Sequence, residues 1–167
     1  QDLSALPKDR VLIFQPFRPD HDHFAAQGYA CHAVLPEGTR AAASVVFIPR
    51  AKPLARALAA EAAAVTDGVV LVDGAKTDGI DSILKELKKR AAPSAPIAKA
   101  HGKIFWIEDA ELADWRAQPS QVDGFTTAPG VFSADGIDPA SRILAENLPP
   151  KLGRRVADFG AGWGYLS

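Results

Sequence analysis

The sequence predicts an α/β fold, a parallel or mixed sheet with helices packed against it. Three observations carry this expectation. The run Gly68–Asp73 (GVVLVD) is apolar without alternation, as in a strand buried on both faces. The strand-like runs flanking it are separated by amphipathic stretches of helix length, the spacing of βαβ units. Near the end of the chain, Val156–Ser167 (VADFGAGWGYLS) reads as a strand passing through an acid into a glycine-rich turn and a helix start.

In chain order, Arg10–Gln15 (RVLIFQ) is the first strand candidate. Asp20-His21-Asp22-His23 follows Pro19 in what reads as a polar loop. With His32 nearby, those imidazoles and carboxylates are types that hold zinc or another divalent ion, although a solvated loop is the preferred reading and no metal is expected. Tyr29–Leu35 and Ala43–Ile48 (ASVVFI) are the next strands. Pro53–Val65 places Leu54, Ala55, Leu58, Ala62 and Val65 along one helical stripe, and Asp78–Ala92 does the same with Ile80, Ile83, Leu84 and Leu87. Lys103–Ile107 (KIFWI) closes this series of strands.

From Ala117 to Gly130 (AQPSQVDGFTTAPG) periodicity drops and turn-forming residues accumulate, which marks a domain boundary. The expected organisation is therefore a domain over 1–116, a linker over 117–130 and the start of a second domain over 131–167. Within the last, Asp138 followed by Pro139 is an N-cap and first-turn proline, Ala140–Leu148 carries a helix to its stop at Pro149-Pro150, and Arg154–Phe159 is a fresh strand.

At 167 residues the chain exceeds a typical ~100–150-residue domain and falls short of two. Hydrophobic residues at 47% and charged residues at 23% suit a globular chain with a proper core and argue against disorder. No run reaches the ~18 consecutive apolar residues of a membrane span, and Gln1–Arg10 lacks the pattern of a secretory signal, so a cytoplasmic location is expected. Cys31 is the single cysteine, which excludes an internal disulfide. A net charge of −1 gives no overall attraction to phosphate, so nucleic-acid binding would need a local patch. Two such groups exist: Lys85, Lys88, Lys89 and Arg90 at one helix end, and Arg50, Lys52 and Arg56. They read either as an RNA-facing stripe or, for the first group, as charges matched to a helix C-terminus. The chain has no methionine and starts with Gln1, so both of its ends are expected to be cut.

The chemistry is concentrated in the glycine loop, with Asp158, Gly160, Ala161, Gly162 and Gly164. Glycines let a backbone turn tightly and approach a bound nucleoside with no Cβ in the way, and a helix N-terminus offers free amides to an anionic group. A carboxylate at the strand end can accept hydrogen bonds from a cofactor or hold the loop's own amides. Dinucleotide-binding folds use G-x-G-x-x-G with an acid ~20 residues later, whereas this loop is D-x-G-x-G-x-G, which disfavours a nicotinamide cofactor. A plain structural turn is the competing reading.

That acid-led loop resembles the first motif of class I S-adenosylmethionine-dependent methyltransferases. Just upstream, Pro129–Leu148 (PGVFSADGIDPASRILAENL) is similar to the small-subunit ribosomal RNA guanine methyltransferases that modify the exocyclic amine, and to their large-subunit relatives. The resemblance implies a Rossmann-like, methyltransferase-type sheet that is a degenerate copy, followed by the first strand of a second such domain that binds the cofactor. It implies that Phe132, Ser133 and Asp135, with Asp138, line the S-adenosylmethionine pocket beside the glycine loop. For Asp138 a helix cap competes with that role. Trp163 departs from the small or aliphatic residue expected in such a loop.

Phe47–Pro53 (FIPRAKP) stands where a working copy would hold an Asn-Pro-Pro-aromatic loop, and no G-x-G precedes Gly160. The implied activity of the intact protein is methyl transfer to a guanine exocyclic amine in ribosomal RNA, with ribosomal RNA or a ribosomal subunit as partner. This chain is expected to hold no catalytic residue and to be inactive alone. The alternative is a non-catalytic RNA-positioning or folding-assist module with a vestigial loop. Its tail from Arg154 is expected to be frayed, or docked on the first domain or on a neighbouring chain.

Overall fold

The computed structural model describes residues 3–167, and the chain divides into two compact units, Gln1–Arg40 and Ala41–Ser167. In the first unit, β1 (Leu12–Phe14) and β2 (Ala30–His32) pair in parallel, Ile13 opposite Cys31, with α1 (Arg18–Ala26) between them in sequence. This is a minimal βαβ unit. Phe24, the one buried residue of α1, packs edge-on against Tyr29, whose hydroxyl donates to the Leu3 carbonyl at 2.7 Å.

The Asp20–His23 cluster therefore lies in a helix and not in the polar loop expected of it. Pro19 in the first turn, Asp20 at the positive end of the macrodipole and the Arg18–Asp22 pair one turn apart favour that helix despite its weak apolar face. His21 Nδ1 lies 3.2 Å from Asp22 and His23 Nε2 lies 2.7 Å from the Gln27 side chain. Among the described residues no group of three or more His, Cys, Asp or Glu side chains converges as a metal site would require.

The second unit is built on a mixed four-stranded sheet ordered β3–β4–β6–β5. β3 (Ala41–Phe47) is parallel to β4 (Thr66–Ala75), connected through α2 (Lys52–Val65). β4 is antiparallel to β6 (Gly102–Ile107), which forms a hairpin with β5 (Ile97–Lys99). α3 (Ile80–Leu87) follows β4, and its stripe Ile80, Ile83, Leu84 and Leu87 is fully buried, as the periodicity predicts. With Val46, Val70, Val72, Phe105 and Ile107 from the sheet and Ala55, Ala59 and Ala60 from α2, it forms one core. Burying a side chain of this size contributes about 1.5–3 kcal/mol.

The sheet alternates, which corrects the expectation that Gly68–Asp73 is buried on both faces. Val70 and Val72 point into the core, while Val69 and Leu71 are only half-buried. On the neighbours Val45 and Trp106 are exposed at the same level. α2 and α3 pack against one face of β4, and Gly74 leaves no room for a Cβ against Ile48.

Beyond the sheet, the expected linker has structure of its own and one strand expectation changes. The stretch 117–130, read as a linker, contains a hairpin of β7 (Ser120–Val122) and β8 (Phe125–Thr127), turned by Asp123 and Gly124 at φ 47° and 85°. Two successive left-handed residues are the geometry that matches strand twist. Arg154–Phe159 forms no strand; its residues are all exposed. A strand needs a ladder neighbour, and none pairs with this segment among the described residues. α4 (Pro139–Asn147) is present and buries none of its residues. No helix among the described residues is long and apolar enough to cross a membrane.

Candidate cofactor-binding loop and its supporting segment

Thr127, 2% exposed at the end of β8, anchors the P-G-V-F-S segment by donating its hydroxyl to the Ala134 carbonyl at 2.8 Å. The chain between them turns through Gly130 at φ 93° and Ser133 at φ 54°, with the Gly136 amide donating back to the Ser133 carbonyl. Left-handed backbone at a non-glycine such as Ser133 costs energy and persists only where its surroundings impose it. Gly130 lies against α2, so close that a Cβ there would come within 2.5 Å of Leu54 Cδ2. Ser133 and Asp135 thereby line a cavity of about 490 Å³ with Ala51, Pro53, Ser120 and Gly130.

Phe132 does not line that cavity, and its side chain is 69% exposed. Asp138 accepts from the Ser141 amide at 2.9 Å as the N-cap of α4, so the capping role is the one it fills.

In the glycine loop Gly160, Gly162 and Gly164 have φ of 84°, 60° and 90°. All three therefore adopt the conformation for which glycine is the natural residue. The Gly164 amide donates to the Ala161 carbonyl at 2.9 Å, and Ser167 Oγ donates to Asp158 Oδ2 at 2.9 Å. The carboxylate thus holds the far side of its own loop. These loop residues lie outside the cavity lined by Ser133 and Asp135.

One bond joins the two segments. Trp163 Nε1 donates to the Phe132 carbonyl at 3.0 Å. The same indole packs 5.1 Å from the ring of Phe125 and 5.7 Å from Tyr165. The tail is accordingly neither frayed throughout nor docked on the sheet: Trp163 and Tyr165 are held by the β7–β8 hairpin, while Val156 and Phe159 are 62% and 97% exposed. Sequence reasoning missed Phe125 and Thr127, although the Asp123-Gly124 dipeptide flanked by Val122 and Phe125 is a hairpin signal.

The two basic groups are not a free stripe. Arg56 donates to both oxygens of Glu86, at 2.8 and 2.9 Å, and Lys52 pairs with the same carboxylate. The Arg56 guanidinium holds the Glu86 carboxyl at about 2, well below its ordinary 4.5. Arg90 is bound to Asp114 at 2.6 Å. Lys85, Lys88, Lys89 and Arg50 remain exposed.

Residues 123–167 match the family model described as the methyltransferase small domain. Over 147 residues the chain is 33% identical to the ribosomal RNA small subunit methyltransferase C of Shewanella sp. (strain MR-4), covering 80% of this chain and 43% of that protein. It is 42% identical over 69 residues to the protein of that name from Salmonella paratyphi B, covering 40% and 20% of the two chains. Among solved structures, the T. thermophilus 16S rRNA guanine-N2 methyltransferase RsmC in complex with AdoMet and guanosine superposes with a TM-score of 0.57 at 24% identity. That match covers 74% of this chain and 38% of the other and bears on the fold. The chain is thus similar to ribosomal RNA small subunit methyltransferases over most of its own length, and it spans less than half the length of the relatives it matches.

Proposed function

We propose that this chain is part of an enzyme that transfers a methyl group from S-adenosylmethionine to the exocyclic N2 amine of a guanine in ribosomal RNA, and that it supplies the first cofactor-binding loop. The observation that carries the reading is the loop itself: an acid-led D-x-G-x-G-x-G in which all three glycines are left-handed and two, Gly160 and Gly164, have open space where a Cβ would stand. Asp158, Gly160, Ala161, Gly162 and Gly164 would hold the cofactor through backbone amides and one carboxylate, with Phe132, Ser133 and Asp135 lining the approach. These residues fit such a group, because no protein atom lies within 4 Å of where a Cβ on Gly160 or Gly164 would be. The cofactor, when bound, supplies an electrophilic methyl on a sulfonium. This chain's residues bind and orient it; none of them is assigned a proton transfer. Ribosomal RNA or a ribosomal subunit is the partner in this reading.

On the same reading, residues 1–116 are a degenerate copy of the methyltransferase fold, 117–130 connect it, and 131–167 open the catalytic domain. The missing G-x-G before Gly160 and the loop Phe47–Pro53 without Asn-Pro-Pro support it. A second reading, a folding-assist or RNA-positioning module with a vestigial loop, is favoured by one observation: the loop's own Trp163 is tied down to Phe132 and Phe125. Methyl transfer by the full-length protein to small ribosomal subunits separates the two. Label appearing as N2-methylguanine, and lost on Gly162→Val, supports the enzyme. Absence of label, or label in another base, contradicts it.

A further inference from the structure

Two arginines of the second unit stack on one buried indole. Trp115, in a single 3₁₀ turn (Ala113–Trp115), is 8% exposed, with the guanidinium carbons of Arg56 and Arg90 at 5.8 and 5.2 Å from its ring centroid. Each guanidinium is also pinned by one carboxylate, Arg56 by Glu86 and Arg90 by Asp114. These groups, with Lys89 and Arg116, line a cavity of about 470 Å³.

The wall carries four cationic side chains, Arg56, Lys89, Arg90 and Arg116, against the carboxylates of Glu86 and Asp114. Glu86 is further neutralised by Lys52. The excess positive charge is local, since the chain as a whole carries −1. Lys89 and Arg116 are exposed and have no ion-pair partner among the described residues. Arg90 spends only Nη1 on Asp114, and Arg56 spends Nε and Nη2 on Glu86, so each keeps N–H donors unused. An arginine held between an indole and a carboxylate has already lost its rotamer freedom, so less is lost when an anion docks. Guanidinium geometry favours phosphate oxygens. Trp115 is buried and offers no face to a base, so contacts here would follow the backbone and not the sequence.

We propose that this cleft seats a phosphodiester of the RNA backbone, with Lys89, Arg90 and Arg116 as the contacting cations; the proposal rests on the reading of the protein as an RNA-modifying enzyme. The test is fluorescence anisotropy of a labelled RNA hairpin with the whole chain across a range of KCl concentrations. The Lys89→Gln/Arg116→Gln pair is compared with Lys85→Gln/Lys88→Gln, an equal loss of charge outside the cleft. The cleft pair should lower the log–log salt slope by about 1, the ~0.9 expected for one lost phosphate contact, and weaken binding roughly tenfold or more for hairpins of any sequence. The outer pair should leave the slope unchanged. Should the cleft pair unfold, as read by circular dichroism, Arg116→Gln alone should lower the slope in the same direction, by up to about 1.

Equal effects of both pairs, or no effect of the cleft pair, overturn the seat. So does a parent chain that ignores RNA, whether or not it binds inorganic pyrophosphate through Lys89 and Arg116; pyrophosphate binding would identify a free phosphate as the ligand. Methyl transfer by the full-length protein is scored separately. Its absence in the parent protein refutes the enzymatic reading, and its presence there beside an unaffected salt slope in the cleft pair refutes only the cleft.

Discussion

The indole Nε1 of Trp163 donates to the carbonyl oxygen of Phe132 at 3.0 Å, joining residues 31 positions apart. This bond fastens the glycine loop to the segment that carries Ser133 and Asp135. Trp163→Phe keeps an aromatic ring against Phe125 and Tyr165 while deleting the donor. It should cost about 1 kcal/mol locally and speed amide hydrogen exchange across Ala161–Tyr165. Trp163→Ala, which also removes the ring contacts, should speed it further. Equal protection in all three proteins would show that the bond holds nothing.

Glu86 sets an acid limit on the pairing of α2 with α3. Its carboxyl is held at about 2 against an ordinary 4.5, so its contribution to stability is present above pH 4.5 and is lost as pH falls through about 2. Screening by solvent keeps that contribution near ~1 kcal/mol. Urea midpoints measured between pH 5 and pH 2 should fall more steeply for the parent than for Glu86→Gln. Parallel curves would mean that the pair with Arg56 is energetically silent.

Gly130 is restricted twice, by φ 93° and by the approach of its Cα to Leu54. Gly130→Ala should destabilise by about 1–2 kcal/mol from backbone strain and contact together. Adding Leu54→Ala relieves the contact and not the strain, so a double-mutant cycle on denaturant midpoints should show a coupling of about 0.5 kcal/mol or more. Strict additivity would place Gly130 away from α2.

How much of this was legible depends on whether an element's cause is local. The α3 stripe and the Asp138 cap are written in spacing, and the structure has them where the sequence puts them, whereas of the stripe expected on α2 only Ala55 is buried, beside Ala57, Ala59 and Ala60. α1 was not legible, because a nine-residue helix that buries Phe24 alone carries almost no apolar period. The β7–β8 hairpin was legible through Asp123-Gly124 but hidden under a composition that reads as a linker. Alternation on β4 depends on which faces its neighbours cover, and the Arg56–Glu86 pair spans 30 residues, so neither leaves a local trace. At the site, the loop and its glycines were visible, whereas the bond from Trp163 to Phe132 was not.

The central claim is that the glycine loop binds S-adenosylmethionine. Isothermal titration of S-adenosylmethionine, and of NAD as a control, into the full-length protein and its Gly162→Val variant tests it most directly. At φ 60° a β-branched residue cannot keep the loop's conformation. The account predicts saturable binding of S-adenosylmethionine, none of NAD, and a loss of at least about tenfold in affinity on Gly162→Val, a change of about 1.4 kcal/mol. Binding of S-adenosylmethionine that Gly162→Val leaves untouched, or no binding at all, would contradict it.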